Sequence, residues 1–204
     1  MGMTDHEIVR RYSSTVSNIL NDLPINSSVA WLGQKHPNMM QDRIVYDSIM
    51  SGVNNELFHN YYDLNNKEFE GSVKWDVHSR WDIKNYDLVL GLRVLYLCES
   101  RKKLMKNLQE VVKHNKRVVF DFMTGNPQMI NNKEVFLKPN NGKAILPHFP
   151  EFYNCECDVS ENHDDQKIIL SDFEKLNLST HNILTFRDMV KNRFYTLMEI
   201  GGAT

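Results

Sequence analysis

Tyr86 to Asn126 reads YDLVLGLRVLYLCES, then RKKLMKNLQEVVKHN, then KRVVFDFMTGN. Asp87 leads into Leu88, Val89 and Leu90, an apolar run without polar alternation, as a strand buried on both faces of a parallel sheet requires. Ser100 supplies a helix N-cap. Leu104, Leu108, Val111 and Val112 then recur at helical spacing, while Lys102, Lys103, Lys106 and Lys113 fall on the opposite face. The helix should end near Asn115. Arg117 opens a second apolar run, Val118 to Phe120, which is expected to close on Asp121 and the Gly125-Asn126-Pro127 turn signal. Strand, helix and strand in this order make one right-handed βαβ unit, so the predicted class is α/β, a mainly parallel sheet covered by helices.

Working outward, Thr4 to Leu23 predicts an amphipathic helix. Thr4 and Glu7 are spaced as a capping box, Ile8, Tyr12, Val16, Ile19 and Leu23 lie near one face, and Pro24 follows as a stop. Ser27 to Gly33, SSVAWLG, reads as a strand ending in glycine. A polar loop and a short helix over Arg43 to Ser51 come next. Leu57 to Asp63 and Ser72 to Asp76 read as the second and third strands, each ending on a carboxylate. Those two acids fall at the carboxyl ends of successive strands, where an open α/β sheet binds its ligand.

The chain has 204 residues, enough for one full core, and a single domain over 1–204 is expected. Its 24 basic and 26 acidic residues give a net charge of −2, so no broad nucleic-acid surface is expected. No stretch has the length of a membrane span or the apolar core of a signal peptide, and three cysteines do not make a disulfide framework; both point to a cytoplasmic protein.

The order of elements, and above all the run DVHSRWDIKNYDLVLGLRVLYL from Asp76 to Leu97, resembles the class I S-adenosylmethionine-dependent methyltransferases. In that family an acid after the third strand precedes a "(F/Y)D-apolar-apolar" fourth strand ending in "VL". The following helix and KRVVFDF resemble the family's fourth helix and fifth strand. Leu170 to Leu176, Asn182 to Phe186 and Phe194 to Ile200 resemble its last short helix and antiparallel strands six and seven. As an order of elements the resemblance runs from about Ser27 to Gly201; its sharp match is Asp76 to Asp121. It implies a Rossmann-like sheet of about seven strands with helices on both faces and an antiparallel C-terminal pair. It also implies S-adenosylmethionine as cofactor, S-adenosylhomocysteine as product, and a small-molecule acceptor. Asp63 would accept from the ribose hydroxyls and Asp76 from the adenine amino group, with the backbone of Val77 or His78 beside the ring. The methionine end would lie over Gly33 and near Gly91 and Leu92. The chain departs from the family in its first loop, where Gly33 is followed by Gln34, Lys35, His36 and Pro37 rather than by further glycines.

Other residues carry two readings. Asp63, Asp76 and Asp121 are also ordinary turn formers. Arg93 suits a carboxylate or a surface ion pair; Trp75 and Trp81 suit base stacking or core packing. The segment 126–169 stands outside the family pattern. Within it, Glu134 to Leu146 reads as a hairpin turning at Asn140-Asn141-Gly142. It could be a substrate lid lined by Phe149, Phe152 and Tyr153, a cover for apolar surface, or the contact of a homodimer. Cys155 and Cys157 with His148 and His163 lack the spacing of a structural zinc site, and no metal is assigned. No nucleophile elbow, phosphate-binding glycine loop or zinc-protease motif occurs. Methyl transfer is therefore the first functional expectation. A non-catalytic scaffold on the same fold, or another nucleotide-dependent enzyme using the same crevice, are the alternatives.

Overall fold

The computed structural model describes residues 6–40, 43–92, 94, 101–124, 127–130, 133–139, 153–156, 175–188 and 193–202. In chain order its elements are α1 (His6–Asn21), β1 (Ser28–Leu32), α2 (Ile44–Met50), β2 (Phe58–Asp63), β3 (Ser72–Lys74), β4 (Leu88–Gly91), α3 (Arg101–His114), β5 (Val118–Thr124), β6 (Pro127–Ile130), β7 (Lys133–Pro139), β8 (Tyr153–Glu156), β9 (Leu178–Asp188) and β10 (Arg193–Gly202). Seven strands form one sheet in the order β3-β2-β1-β4-β5-β10-β9. The first five are parallel, and β10 runs antiparallel to both β5 and β9. This is the Rossmann-like architecture with an antiparallel C-terminal pair that the sequence predicts.

Strand alternation sorts the core. Ala30, Leu32, Tyr62, Val89, Val118 and Phe120 pack towards Leu104, Leu108 and Val111 of α3. Val29, Trp31, Tyr61, Leu88, Leu90 and Val119 pack towards Tyr12, Val16, Ile19 and Leu20 of α1 and Ile49 of α2. Every residue of β4 is buried, so its unalternating apolar sequence is what a central strand covered on both faces needs. Leu104 and Leu108 are almost wholly buried, and each contributes roughly 1.5–3 kcal/mol relative to exposure. Lys103, Lys106 and Lys113 face solvent, as the helical period requires.

At the amino edge of the parallel strands Asp87 joins three of them. Its Oδ2 accepts from the Ser28 backbone N–H at 2.8 Å and from the Ser28 hydroxyl at 3.0 Å, and its Oδ1 meets Lys116 Nζ at 2.6 Å. Lys116 first, then the Ser28 N–H, hold this carboxyl down at a pKa of about 2. Asn115 closes the end of α3, accepting from Tyr86 N–H and donating to Ile83 and Val111 carbonyls.

Two expectations are corrected. Asp121 does not end a strand: β5 continues to Thr124, and Asp121 is buried opposite Leu197 with Tyr12 Oη donating to its Oδ2 at 2.7 Å. Asp76 lies beyond β3, which stops at Lys74. Within the 126–169 segment β6 and β7 pair antiparallel and β7 pairs antiparallel with β8; the second arm of the hairpin expected over Glu134 to Leu146 lies outside the described residues. The expected turn at Asn140-Asn141-Gly142, and Phe149, Phe152, His148, Cys157 and His163, lie outside the described residues, as do Arg93, Ser100 and the Thr4 end of the first helix. Trp75 and Trp81 are core residues, packed on each other with centroids 5.2 Å apart.

Candidate functional site

Because β1, β2, β3 and β4 are parallel, their carboxyl ends share one edge. β1 separates β2 from β4, so the chain leaving β1 crosses the point where the strand order reverses, the crevice that open α/β sheets use for ligands. Four segments meet there: 33–40 after β1, 64–71 after β2, 75–79 after β3, and Leu92 and Val94 after β4.

Gly33 and Gly91 form the floor. Gly33 has φ +68°, and a Cβ placed on it would stand 2.4 Å from Val94 Cγ2. A Cβ on Gly91 would stand 1.9 Å from the Phe120 ring. Both glycines therefore let protein approach protein. Leu92 and Val94 are buried, one in each of the two core layers that cover the sheet.

Asp63, the last residue of β2, and Asp76, two residues beyond the adjacent β3, form the acidic side, both half-buried. Asp63 Oδ1 accepts from Asn65 N–H at 2.9 Å, and its backbone carbonyl accepts from Trp75 N–H. Asp76 Oδ1 accepts from His78 N–H at 2.8 Å. Each carboxylate is thus aimed by its own short turn, with one oxygen engaged. Among the described residues no hydrogen bond to the second oxygen of either is formed. The turn-forming and ligand-accepting readings are therefore compatible, one oxygen for each. Val77 carbonyl already accepts from Trp81 Nε1 at 3.0 Å, and His78 N–H is held by Asp76. Beside Asp76 the Val77 N–H is left as a backbone donor.

The segment after β1 is long and docks on the one after β2. Gln34 N–H donates to Tyr62 carbonyl at 3.2 Å, His36 N–H to Asn66 Oδ1 at 3.0 Å, and Lys67 N–H to Met39 Sδ at 3.3 Å. The His36 ring stacks on Phe69 at 5.1 Å and meets Tyr61 edge-on at 5.4 Å. Behind this lies an aromatic layer in which Trp31 Nε1 donates to His59 Nδ1 at 2.9 Å and the Tyr46 and Tyr61 hydroxyls meet at 2.5 Å. Burial lowers the His59 pKa, so its ring stays neutral and able to accept. Burial likewise raises the Tyr62 phenol, whose hydroxyl meets that of Tyr86 at 2.8 Å.

The seven residues singled out from sequence thus gather at one edge, Gly33, Gly91 and Leu92 as floor and Asp63, Asp76, Val77 and His78 as rim. Sequence reasoning missed Asn66, His36 and Val94. The one available signal was the lack of further glycines after Gly33, which means that something other than glycine must shape that loop.

No protein-family model matches the sequence, and no curated protein matches it. Solved structures do. The chain is similar to a "possible exported protein" of Bordetella parapertussis, at 11% identity and TM-score 0.53, over 95% of this chain and 68% of that one. It is similar to the magnesium protoporphyrin IX methyltransferase of Synechocystis with bound S-adenosylmethionine, at 10% identity and TM-score 0.50, over 95% and 79%. It is also similar to the N-methyltransferase NodS of Bradyrhizobium japonicum, at 9% identity and TM-score 0.51, over 97% and 98%. At these identities the likeness is one of fold.

Proposed function

We propose that this chain, whose fold is that of the class I S-adenosylmethionine-dependent methyltransferases, transfers a methyl group from that cofactor to a small-molecule acceptor. The observation that carries the reading is the pair Asp63 and Asp76. Asp63 ends β2 and Asp76 follows the adjacent β3, so the two carboxylates stand together on one side of the switch point, each fixed by one oxygen and with the other to offer. A vicinal diol and an aromatic amine are donors that suit such a pair.

The donor set fits the nucleoside half of the cofactor: Asp63 would hold the ribose hydroxyls, Asp76 the adenine amino group, and Val77 N–H a ring nitrogen. Gly33, Gly91 and Leu92 would lie under the methionine half, on a floor closed by Val94. When bound, the cofactor supplies a methyl group already activated on a sulfonium. What remains for the chain is orientation and the exclusion of water, which bring the reacting atoms into line. The segment 126–169, following β5, is the candidate acceptor cover or subunit contact.

A second reading, a scaffold that keeps the fold without the cofactor, draws on the docking of 34–40 against 64–69 and on the contact of Gly33 with Val94. Thermal denaturation separates the two. S-adenosylhomocysteine at a hundred times its dissociation constant should stabilise the protein by about 2.7 kcal/mol and raise Tm accordingly. An unmoved Tm at millimolar ligand, in protein shown to be folded, selects the scaffold.

A further inference from the structure

Parallel neighbours usually need a long crossover with a helix between them. Here β2 and β3 are joined by residues 64–71 with no helix. Gly71, at φ +75°, makes the return possible, since a Cβ there would stand 2.6 Å from His59 carbonyl. At the centre of this short link sits Asn66, only 8% exposed. Its Nδ2 donates to Tyr61 carbonyl at 2.6 Å and to Val73 carbonyl at 3.3 Å, bridging β2 and β3, and its Oδ1 accepts from His36 N–H at 3.0 Å. The amide orientation follows from the partners. Turned over, it would set an NH2 against an N–H and an oxygen against two carbonyls.

We infer that Asn66 is the positioning residue of the loop after β1, taking the place of the absent glycines by tying His36 to the β2–β3 link beside Asp63. A glycine-rich turn holds its backbone close to a ligand by having no side chains in the way. This loop instead has four side chains in sequence after Gly33, and one buried amide fixes where its backbone runs. Among the described residues the Asn66 side chain forms no hydrogen bond to the floor glycines or to either carboxylate, although its backbone N–H donates to the Asp63 carbonyl at 3.3 Å. It acts through His36 N–H on the loop and through Tyr61 and Val73 on the strands that carry Asp63 and Asp76. Its effect on ligand affinity rests on the cofactor reading above; its effect on the loop does not.

His36 offers a selective probe, because its φ of −55° and ψ of 140° suit proline. His36→Pro removes the N–H that Asn66 accepts, whereas His36→Ala removes the ring and keeps the N–H. In ligand-free protein, Asn66→Ala should speed exchange of the His36 amide by roughly tenfold or more, as expected for loss of a buried hydrogen bond. The Asn65 and His78 amides, held by Asp63 and Asp76, serve as controls for general loosening. In calorimetric titration with S-adenosylhomocysteine, His36→Pro should bind several-fold more weakly than His36→Ala. Asn66→Ala combined with His36→Pro should bind no more weakly than Asn66→Ala alone. Multiplying losses in the double variant, or equal affinity of His36→Pro and His36→Ala, would overturn the positioning role. If the unsubstituted protein binds no S-adenosylhomocysteine, the cofactor reading fails and Asn66 is judged by exchange alone. A His36 amide that Asn66→Ala leaves protected then rejects the inference.

Discussion

At the scale of single residues, the two acids and the floor glycine make separable predictions. Asp63→Ala should weaken cofactor binding by about 2–4 kcal/mol, from the loss of charge-assisted bonds to a diol, and Asp76→Ala by about 1–2 kcal/mol for one contact. Asp63→Asn is the sharper variant. It keeps an oxygen for Asn65 N–H and so preserves the turn, while removing the charge offered to the ligand. Affinity unchanged in Asp63→Asn and Asp63→Ala alike makes this carboxylate a turn former only. Gly33→Ala is predicted to destabilise on two counts, roughly 1–2 kcal/mol for a Cβ at left-handed φ and roughly 1–3 kcal/mol for overpacking against Val94. Urea unfolding of Gly33→Ala with and without Val94→Gly, which removes both the Cγ2 and the Cβ that the new methyl would meet, measures them apart. Full rescue of Gly33→Ala in the Val94→Gly background would contradict the backbone part.

At the scale of elements, Asp87 and the Tyr12–Asp121 pair decide how pieces dock. The folded-state pKa of Asp87 lies below the usual value for Asp, near 3.9. Its contribution to stability is therefore complete above that value and is lost as pH falls through about 2. Asp87→Asn should flatten the acid limb of the stability curve, and unfolding curves from pH 5 to 2 read this directly; an identical limb in the variant speaks against it. Tyr12→Phe takes a donor from a buried carboxylate that joins α1 to β5 and should cost about 1.5–3 kcal/mol. A chemical-denaturation midpoint within error of the parent protein counts against the docking role.

Much of this scale was legible in the sequence. The unalternating runs Leu88 to Leu90 and Val118 to Phe120 suit strands covered on both faces, as in a parallel sheet, and they are adjacent and parallel as expected. The Asp of the "YD" motif, which made the resemblance visible, sits at the amino edge of the strands, away from the crevice, so it marks the fold and not the chemistry. Asp121 was misread because a carboxylate within a strand needs a partner, and its partner Tyr12 lies on a helix distant in sequence. The clamp at Asn66 was illegible for the same reason. Hydrogen bonds from a side chain to the backbone of other elements leave no period or spacing.

At the scale of the whole molecule, the fold supplies a crevice and the chain departs from the usual way of lining it. Only α2 and α3 lie in the described crossovers between parallel strands, and side-chain clamps do in 64–71 what a helix would otherwise do. The site's floor is core packing, its rim two turn-held carboxylates, and its front a docked loop. No described helix is long and apolar enough to cross a membrane. Of the site, the placement of Gly33, Asp63 and Asp76 could be read from strand ends; the loop that faces them could not.

Calorimetric titration of the folded protein with S-adenosylhomocysteine, alongside Asp63→Asn, decides whether this crevice takes the cofactor. Saturable binding at one site, weakened by well over tenfold in Asp63→Asn while Tm of the ligand-free variant stays near the parent value, is the predicted result. No heat of binding at millimolar ligand, or binding that Asp63→Asn leaves untouched, would contradict the assignment of this crevice to the cofactor.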